Sequence, residues 1–234
     1  KLSKRHGAKS VTEYREEGYL ADTLINYLSL LGWAPPEGRE ILTRTELVDL
    51  FDIGRVSKSG AVFDVTKLKW MNGMYIRRLS EEALLEAVTP FISEDLQSKL
   101  VKYSDSQRQA MVVAVRDNLE LLSDVNAYLE VFSLSFEAYC TKIAALSFSE
   151  SDIKVQQLAY DAIDSSSDLD SQFVGTLLDD IIEQTGLGKG KVFKPLRLAT
   201  SGFGSGPALG DYIPILGKDV VLERLRHGLS KGAN

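Results

Sequence analysis

Apolar residues recur every three or four positions along almost the whole chain, and the pattern predicts helices rather than strands. Leu20, Leu24, Tyr27, Leu28 and Leu31 form one such stripe, closed by Gly32 and by Trp33-Ala34-Pro35-Pro36. Before it, Ser10-Val11-Thr12-Glu13 has the Ser-x-x-Glu form of a capping box and opens a short helix through Tyr14, Arg15 and Glu17 that stops at Gly18. Thr43-Arg44-Thr45-Glu46 offers a second capping box ahead of Leu47, Leu50 and Phe51. Asp64 is placed to cap a helix through Val65, Leu68 and Met71, which Gly73 is expected to break or bend.

From Ser80 onward the pattern is helical almost throughout. Ser80-Glu81-Glu82 starts a helix running to about Pro90, and Ser93-Glu94-Asp95 starts the next. Ser104-Asp105 introduces Val112, Val115, Leu119 and Leu122 on one face, and Asp124 introduces Val125, Leu129, Phe132, Phe136, Tyr139 and Ile143 on another. At that spacing the aromatics are core residues. Val155, Leu158, Ala159 and Ala162 mark a further helix, and Phe173, Leu177 and Ile181 another, joined by a Ser165-Ser166-Ser167 loop. Gly186–Lys191 reads as a flexible basic linker and Gly202–Pro207 as a glycine-rich turn, with short helices at 192–200 and about 219–228. Neither glycine-rich stretch follows a strand or has phosphate-loop spacing.

Composition narrows the class. With 44% hydrophobic and 26% charged residues the 234-residue chain is ordinary and globular, and no apolar run approaches a membrane span. A single cysteine, Cys140, beside Tyr139 and Ile143, is expected to be a buried, inert thiol in a reducing compartment. The two histidines, His6 and His227, are far apart, so no metal site is expected. The formal net charge of -6 hides an asymmetry: residues 1–78 hold 13 Lys+Arg against 10 Asp+Glu, residues 79–186 hold 6 against 20, and residues 187–234 hold 8 against 3. Basic ends around an acidic middle suit a polyanion touched at defined places. Acidic helices that merely keep the chain soluble account equally for most of the middle.

The first five residues, Lys1-Leu2-Ser3-Lys4-Arg5, could gather phosphate oxygens, although a run this short is also the composition of a solvated tail. The residues after it decide between the two. Lys1–Gly7, Ser10-Val11, Tyr14-Arg15-Glu16, Gly18-Tyr19-Leu20 and Asn26–Trp33, then Phe51-Asp52-Ile53, Arg55–Ser59, Ala61–Asp64, Lys67-Leu68 and Trp70–Gly73, together resemble the bacterial-type glutamyl-tRNA synthetases, class I enzymes, from their KMSKS-type loop onward. The likeness fades in the acidic middle and returns at Pro195-Leu196-Arg197, Gly206-Pro207 and Leu216–Asp219. Because the chain opens without methionine and already inside that motif, it is expected to be a C-terminal fragment of a longer cytoplasmic enzyme.

The resemblance implies a mainly α fold: a stem-contact helical domain over 1–75, then an all-helical, two-part anticodon-binding cage over 76–146 and 147–234. It implies that Lys1, Ser3, Lys4 and Arg5 belong to the site for ATP and Mg of the full-length enzyme, with Lys4 as the second lysine of the motif, stabilising charge on the phosphates while glutamate attacks. Leu2 stands where methionine is usual, a volume-conserving change. No ATP, glutamate or metal is expected on the fragment alone, which is expected to be inactive and monomeric, away from membranes, with tRNA-Glu as partner. Contacts to that tRNA are implied for Arg15, Lys58, Lys69, Trp70, Asn72 and Arg77 at its inner corner. Arg108 and Arg116, eight residues apart and expected near one helix face, could read or stack on anticodon bases; salt bridges to neighbouring carboxylates would explain them as well. Lys189, Lys191, Lys194 and Arg197 suit phosphates, or a solvated linker. The alternative reading of the whole chain is a non-enzymatic helical protein-interaction module.

Overall fold

The computed structural model describes residues 9–57 and 60–231. Among the described residues there are fourteen α-helices and no strand. They form two compact units: residues up to Ser93 together with Arg116–Ala127, and Glu94–Val115 together with the chain from Tyr128 onward.

The first unit opens with α1 (Val11–Glu17), closed at both ends as its sequence dictates. The Ser10 hydroxyl accepts the Glu13 amide at 3.2 Å, and Gly18 turns into the left-handed region at φ 96°. α2 (Ala21–Leu30) and α4 (Val65–Arg77) pack together and bury Tyr19, Leu24, Tyr27, Leu68 and Met71. Between them α3 (Arg44–Leu50) starts on the Thr43/Glu46 box and covers a smaller cluster of Trp33, Leu42 and Leu47. One polar network ties these pieces together: Asn26 Oδ1 accepts the Leu42 amide at 3.0 Å and the Tyr75 hydroxyl at 2.7 Å. Burial pushes the Tyr75 phenol up to about 12, so it remains a donor.

Gly73 does not break α4, which runs unbroken through it. Its Cβ would lie 3.1 Å from the Leu119 carbonyl oxygen, so the missing side chain admits the close approach of the segment after Arg116. That segment is held at the α1–α2 junction, where the Leu122 amide donates to Gly18 O at 3.1 Å and Ser123 Oγ to Glu17 O at 2.7 Å. α5 (Glu81–Val88), capped by Ser80, completes the unit; it ends in a 3-10 turn over Thr89–Phe91.

The second unit holds α6 (Glu94–Leu100) and α7 (Asp105–Val115), then receives the chain from within α8 (Val125–Ser133). The single helix expected from Val125 to Ile143 is two. Ser135 is extended and its hydroxyl caps α9 (Phe136–Ile143) by accepting the Ala138 amide at 3.2 Å. Tyr139 and Ile143 are buried as expected, while Phe136 stays exposed and Cys140 is half-buried. α10 (Glu150–Ser165) packs on α12 (Lys189–Ser201) and α14 (Lys218–Ser230), and α11 (Ser171–Thr185) on α13 (Leu209–Leu216).

Two further expectations are corrected. The stretch from Gly186 to Lys191 is no flexible linker: Gly186 ends α11 in a left-handed turn and α12 begins at Lys189. α13 escapes the sequence reading because Pro214 lies inside it. The proline cannot donate to Gly210 O, and the Ser171 hydroxyl does so instead at 2.6 Å.

At the centre of this unit Arg224 is buried without a carboxylate partner in hydrogen-bonding contact among the described residues. It donates to Thr200 O at 2.8 Å, near the end of α12, and to Leu134 O at 3.3 Å, at the α8–α9 break, with its guanidinium 5.0 Å from the Tyr139 ring centre. Burial lowers its pKa. The arginine satisfies carbonyls that the helix ends leave open.

Candidate nucleic-acid interface

A surface that grips a polyanion needs cations that are accessible and not committed elsewhere. Lys1, Ser3, Lys4, Arg5 and Lys58 lie outside the described residues. Arg15 is exposed in the last turn of α1. On α4, Lys69 and Trp70 both reach solvent, and Lys69 pairs with Glu120 at 3.3 Å. An exposed pair of this kind is worth only about 0–1 kcal/mol, so a phosphate can take the lysine from it.

Asn72 belongs elsewhere. It is fully buried, and its carboxamide accepts the Leu20 amide at 2.8 Å while donating to Gly18 O at 3.2 Å and Glu120 O at 2.7 Å. With both N–H groups spent on backbone it is a clamp within the unit and offers nothing to a ligand.

Arg77 and Arg116 are brought onto packed elements, because the 3-10 turn Arg116–Asn118 lies against α4. Both are half-buried, and among the described residues Arg77 Nη1 and Arg116 Nε and Nη2 are buried without a hydrogen-bond partner. These nitrogens are shut off from solvent as well as unpartnered, so they do not form part of an accessible cationic surface. The expected shared helix face of Arg108 and Arg116 does not form. α7 ends at Val115, Arg116 belongs to the first unit, and Arg108 lies on α7 in the second, paired with Asp105 one turn before it. The neighbouring carboxylate thus accounts for Arg108 in this structure.

α12 carries the other candidates. Lys191 and Lys194, three residues apart and so neighbours on the helix surface, are exposed, as is Lys189. Gly188 supplies no side-chain cap and the first turn holds no acid, in contrast to α5, α6 and α10. Lysines at a helix start oppose the helix dipole by about 0.3–1 kcal/mol each. Arg197 is used internally: it donates to Pro207 O and its guanidinium lies 5.9 Å from the Tyr212 ring centre. Arg78, exposed at the C-cap of α4, was not among the expected contacts; the Arg77-Arg78 pair at a helix end is its signal in the sequence. No group of three His, Cys, Asp or Glu side chains among the described residues is placed to hold a metal, and no described helix is long and apolar enough to cross a membrane.

Residues 83–229 match the family described as anticodon binding domain, and residues 1–70 match the family described as tRNA synthetases class I (E and Q), catalytic domain. The glutamate–tRNA ligase of Natranaerobius thermophilus is 38% identical over 237 residues, covering 99% of this chain and 48% of that protein. That of Mesoplasma florum is 35% identical over 228 residues, covering 96% and 47%. The crystal structure of a glutamate–tRNA synthetase from Elizabethkingia anophelis superposes with a TM-score of 0.71 at 28% identity, covering 98% of this chain and 48% of that one. The chain spans about half the length of the curated relatives it matches. It belongs to the anticodon binding domain family, carried on a segment that matches class I tRNA synthetases for glutamate and glutamine.

Proposed function

We propose that this chain is the tRNA-gripping portion of a glutamate–tRNA ligase, with tRNA-Glu as its partner. The observation that carries this reading is the anticodon-binding match over residues 83–229, a segment helical through most of its length and starting just beyond the catalytic-domain match. In this reading residues 1–75 meet the inner corner of the tRNA through Arg15, Lys58, Lys69 and Trp70, with Arg77 just beyond them as a further contact. Residues 76–146 and 147–234 meet the anticodon arm, with Arg116 as the candidate for a base and the exposed Lys189, Lys191 and Lys194 meeting phosphates. A bound phosphate would also relieve the charge conflict at the start of α12.

Catalysis belongs to the whole ligase: attachment of glutamate to tRNA-Glu, driven by ATP with Mg in the cytoplasm by a monomeric enzyme. Lys1, Ser3, Lys4 and Arg5 would hold the triphosphate there, a role that rests on the sequence resemblance. The test is a filter-binding titration of this chain with tRNA-Glu over a salt series. Binding whose affinity falls linearly with salt on logarithmic axes is expected. No binding of any tRNA at low salt would overturn the reading.

A further inference from the structure

Lys69 reaches solvent already engaged. Its Nζ lies 3.3 Å from Glu120 Oε2, with the two side chains 39% and 49% exposed. Glu120 comes from the segment after Arg116, and the backbone around it is fixed on three sides. Asn72 Nδ2 donates to Glu120 O at 2.7 Å, the Glu120 amide donates to Asp124 Oδ2 at 3.2 Å, and the missing side chain of Gly73 lets Leu119 O come close to α4. Lys69 and Asn72 are three residues apart on α4 and so lie on neighbouring helix surface. The buried Asn72 clamp therefore sets the Glu120 side chain beside this lysine. Asp124 is not a second competitor, because its carboxylate is spent on the amides of Glu120 and Leu121.

A carboxylate in this place acts against a polyanion in two ways. It occupies the ammonium group that a phosphate would take, and once displaced it stands as a like charge beside the phosphate that Lys69 has drawn in. Both effects are modest, because the pair is open to solvent. A grip on tRNA must also yield, since product release limits turnover in many enzymes. We infer that Glu120 is an affinity-setting residue: the built-in anionic competitor that a tRNA phosphate displaces from Lys69, holding the affinity below what the cationic surface alone would give. The inference rests on the ligase reading above, in which Lys69 meets the tRNA.

The test is filter binding of tRNA-Glu, at one salt concentration, to the wild-type chain, Glu120→Gln, Lys69→Ala and the double variant. Glu120→Gln is expected to bind about threefold to fivefold more tightly than wild type, and Glu120→Ala to change affinity in the same direction. With Lys69 already replaced by alanine, Glu120→Gln is expected to change affinity by less than about 1.5-fold, the non-additivity of two residues that act through one contact. The clamp uses the backbone of Glu120, so the circular-dichroism melting curves of the Glu120 variants should match wild type. Unchanged affinity in both Glu120 variants would overturn the inference. So would weaker binding, which would make Glu120 a support that orients Lys69, or an equal gain with and without Lys69, which would assign the effect to the net charge of the surface. If the wild-type chain does not bind tRNA-Glu, the ligase reading fails and the inference falls with it; wild-type binding that both Glu120 variants leave unchanged removes the inference alone.

Discussion

Asn72 Nδ2 donates to the carbonyl of Glu120 at 2.7 Å, joining α4 to a segment 48 residues later in the chain. The same side chain serves Leu20 N and Gly18 O, so one residue binds three separate stretches of backbone. Replacing it by alanine strands buried polar groups at about 1–3 kcal/mol each. Asn72→Ala should therefore destabilise the first unit by about 3 kcal/mol or more. Both tryptophans, Trp33 and Trp70, lie in that unit, so urea unfolding followed by tryptophan fluorescence measures it directly. Asn72→Asp should fail similarly, because a carboxylate keeps the acceptor for Leu20 and loses both donors.

Gly18 supports the same junction from the other side. At φ 96° it occupies backbone space that side chains rarely enter, and a Cβ there would lie 2.7 Å from the amide nitrogens of both Leu122 and Ser123. Gly18→Ala should lower the stability of the first unit by about 2 kcal/mol or more, seen as a lower midpoint in the same fluorescence experiment. A substitution at Gly186, also left-handed but with open space around it, should cost less.

These residues mark what could be read in the sequence and what could not. The helix starts at Ser10, Thr43, Asp64 and Ser80 were legible because a cap is decided by a hydroxyl or carboxylate and an amide three residues away. Gly73 misled for the complementary reason: its role is set by Leu119, and nothing local to α4 reveals that neighbour. Asn72 looked like a polar surface residue beside Trp70, yet its partners are 48 to 54 residues away. Arg108 and Arg116 share a helical spacing in sequence, but α7 stops between them and the chain changes unit there. Pro214 hid a helix whose unpaired carbonyl is met by Ser171, a distant side chain. The basic residues were legible as types, whereas which of them are spent internally, as Arg197 is, depends on the packed structure.

Acid should weaken the first unit through Glu46. The Thr43 amide, foremost, and the Arg39 guanidinium hold its carboxylate at a pKa of about 2, below the ordinary 4.5. A carboxyl depressed in the folded state adds stability above its unfolded pKa and loses that contribution as pH falls toward the folded value. The fluorescence-detected melting temperature should therefore drop between pH 4.5 and about 2, and Glu46→Gln should make that limb shallower while lowering stability at neutral pH. An identical acid limb in Glu46→Gln would contradict this role.

The lysines of α12 should set part of the salt dependence of tRNA binding. Replacing Lys191 and Lys194 together by alanine should reduce the slope of log affinity against log salt by about 2, one for each lysine–phosphate pair removed, and weaken binding by similar factors whatever the anticodon. Both side chains are exposed, so the circular-dichroism spectrum and melting curve should not change. An unaltered slope would remove this helix start from the interface.

The most direct measurement is a pair of filter-binding titrations at one salt concentration, with tRNA-Glu and with the same tRNA carrying a changed anticodon, for the wild-type chain and for Arg116→Ala. Arg116 is half-buried on the turn that packs against α4, so a circular-dichroism melting curve of the variant accompanies the titrations as the control for folding. The wild-type chain is predicted to prefer the authentic anticodon by about tenfold to a hundredfold, the scale of one or two base contacts at about 1–3 kcal/mol each, and Arg116→Ala to lose most of that preference. Equal affinity of the wild-type chain for both tRNAs would contradict the account.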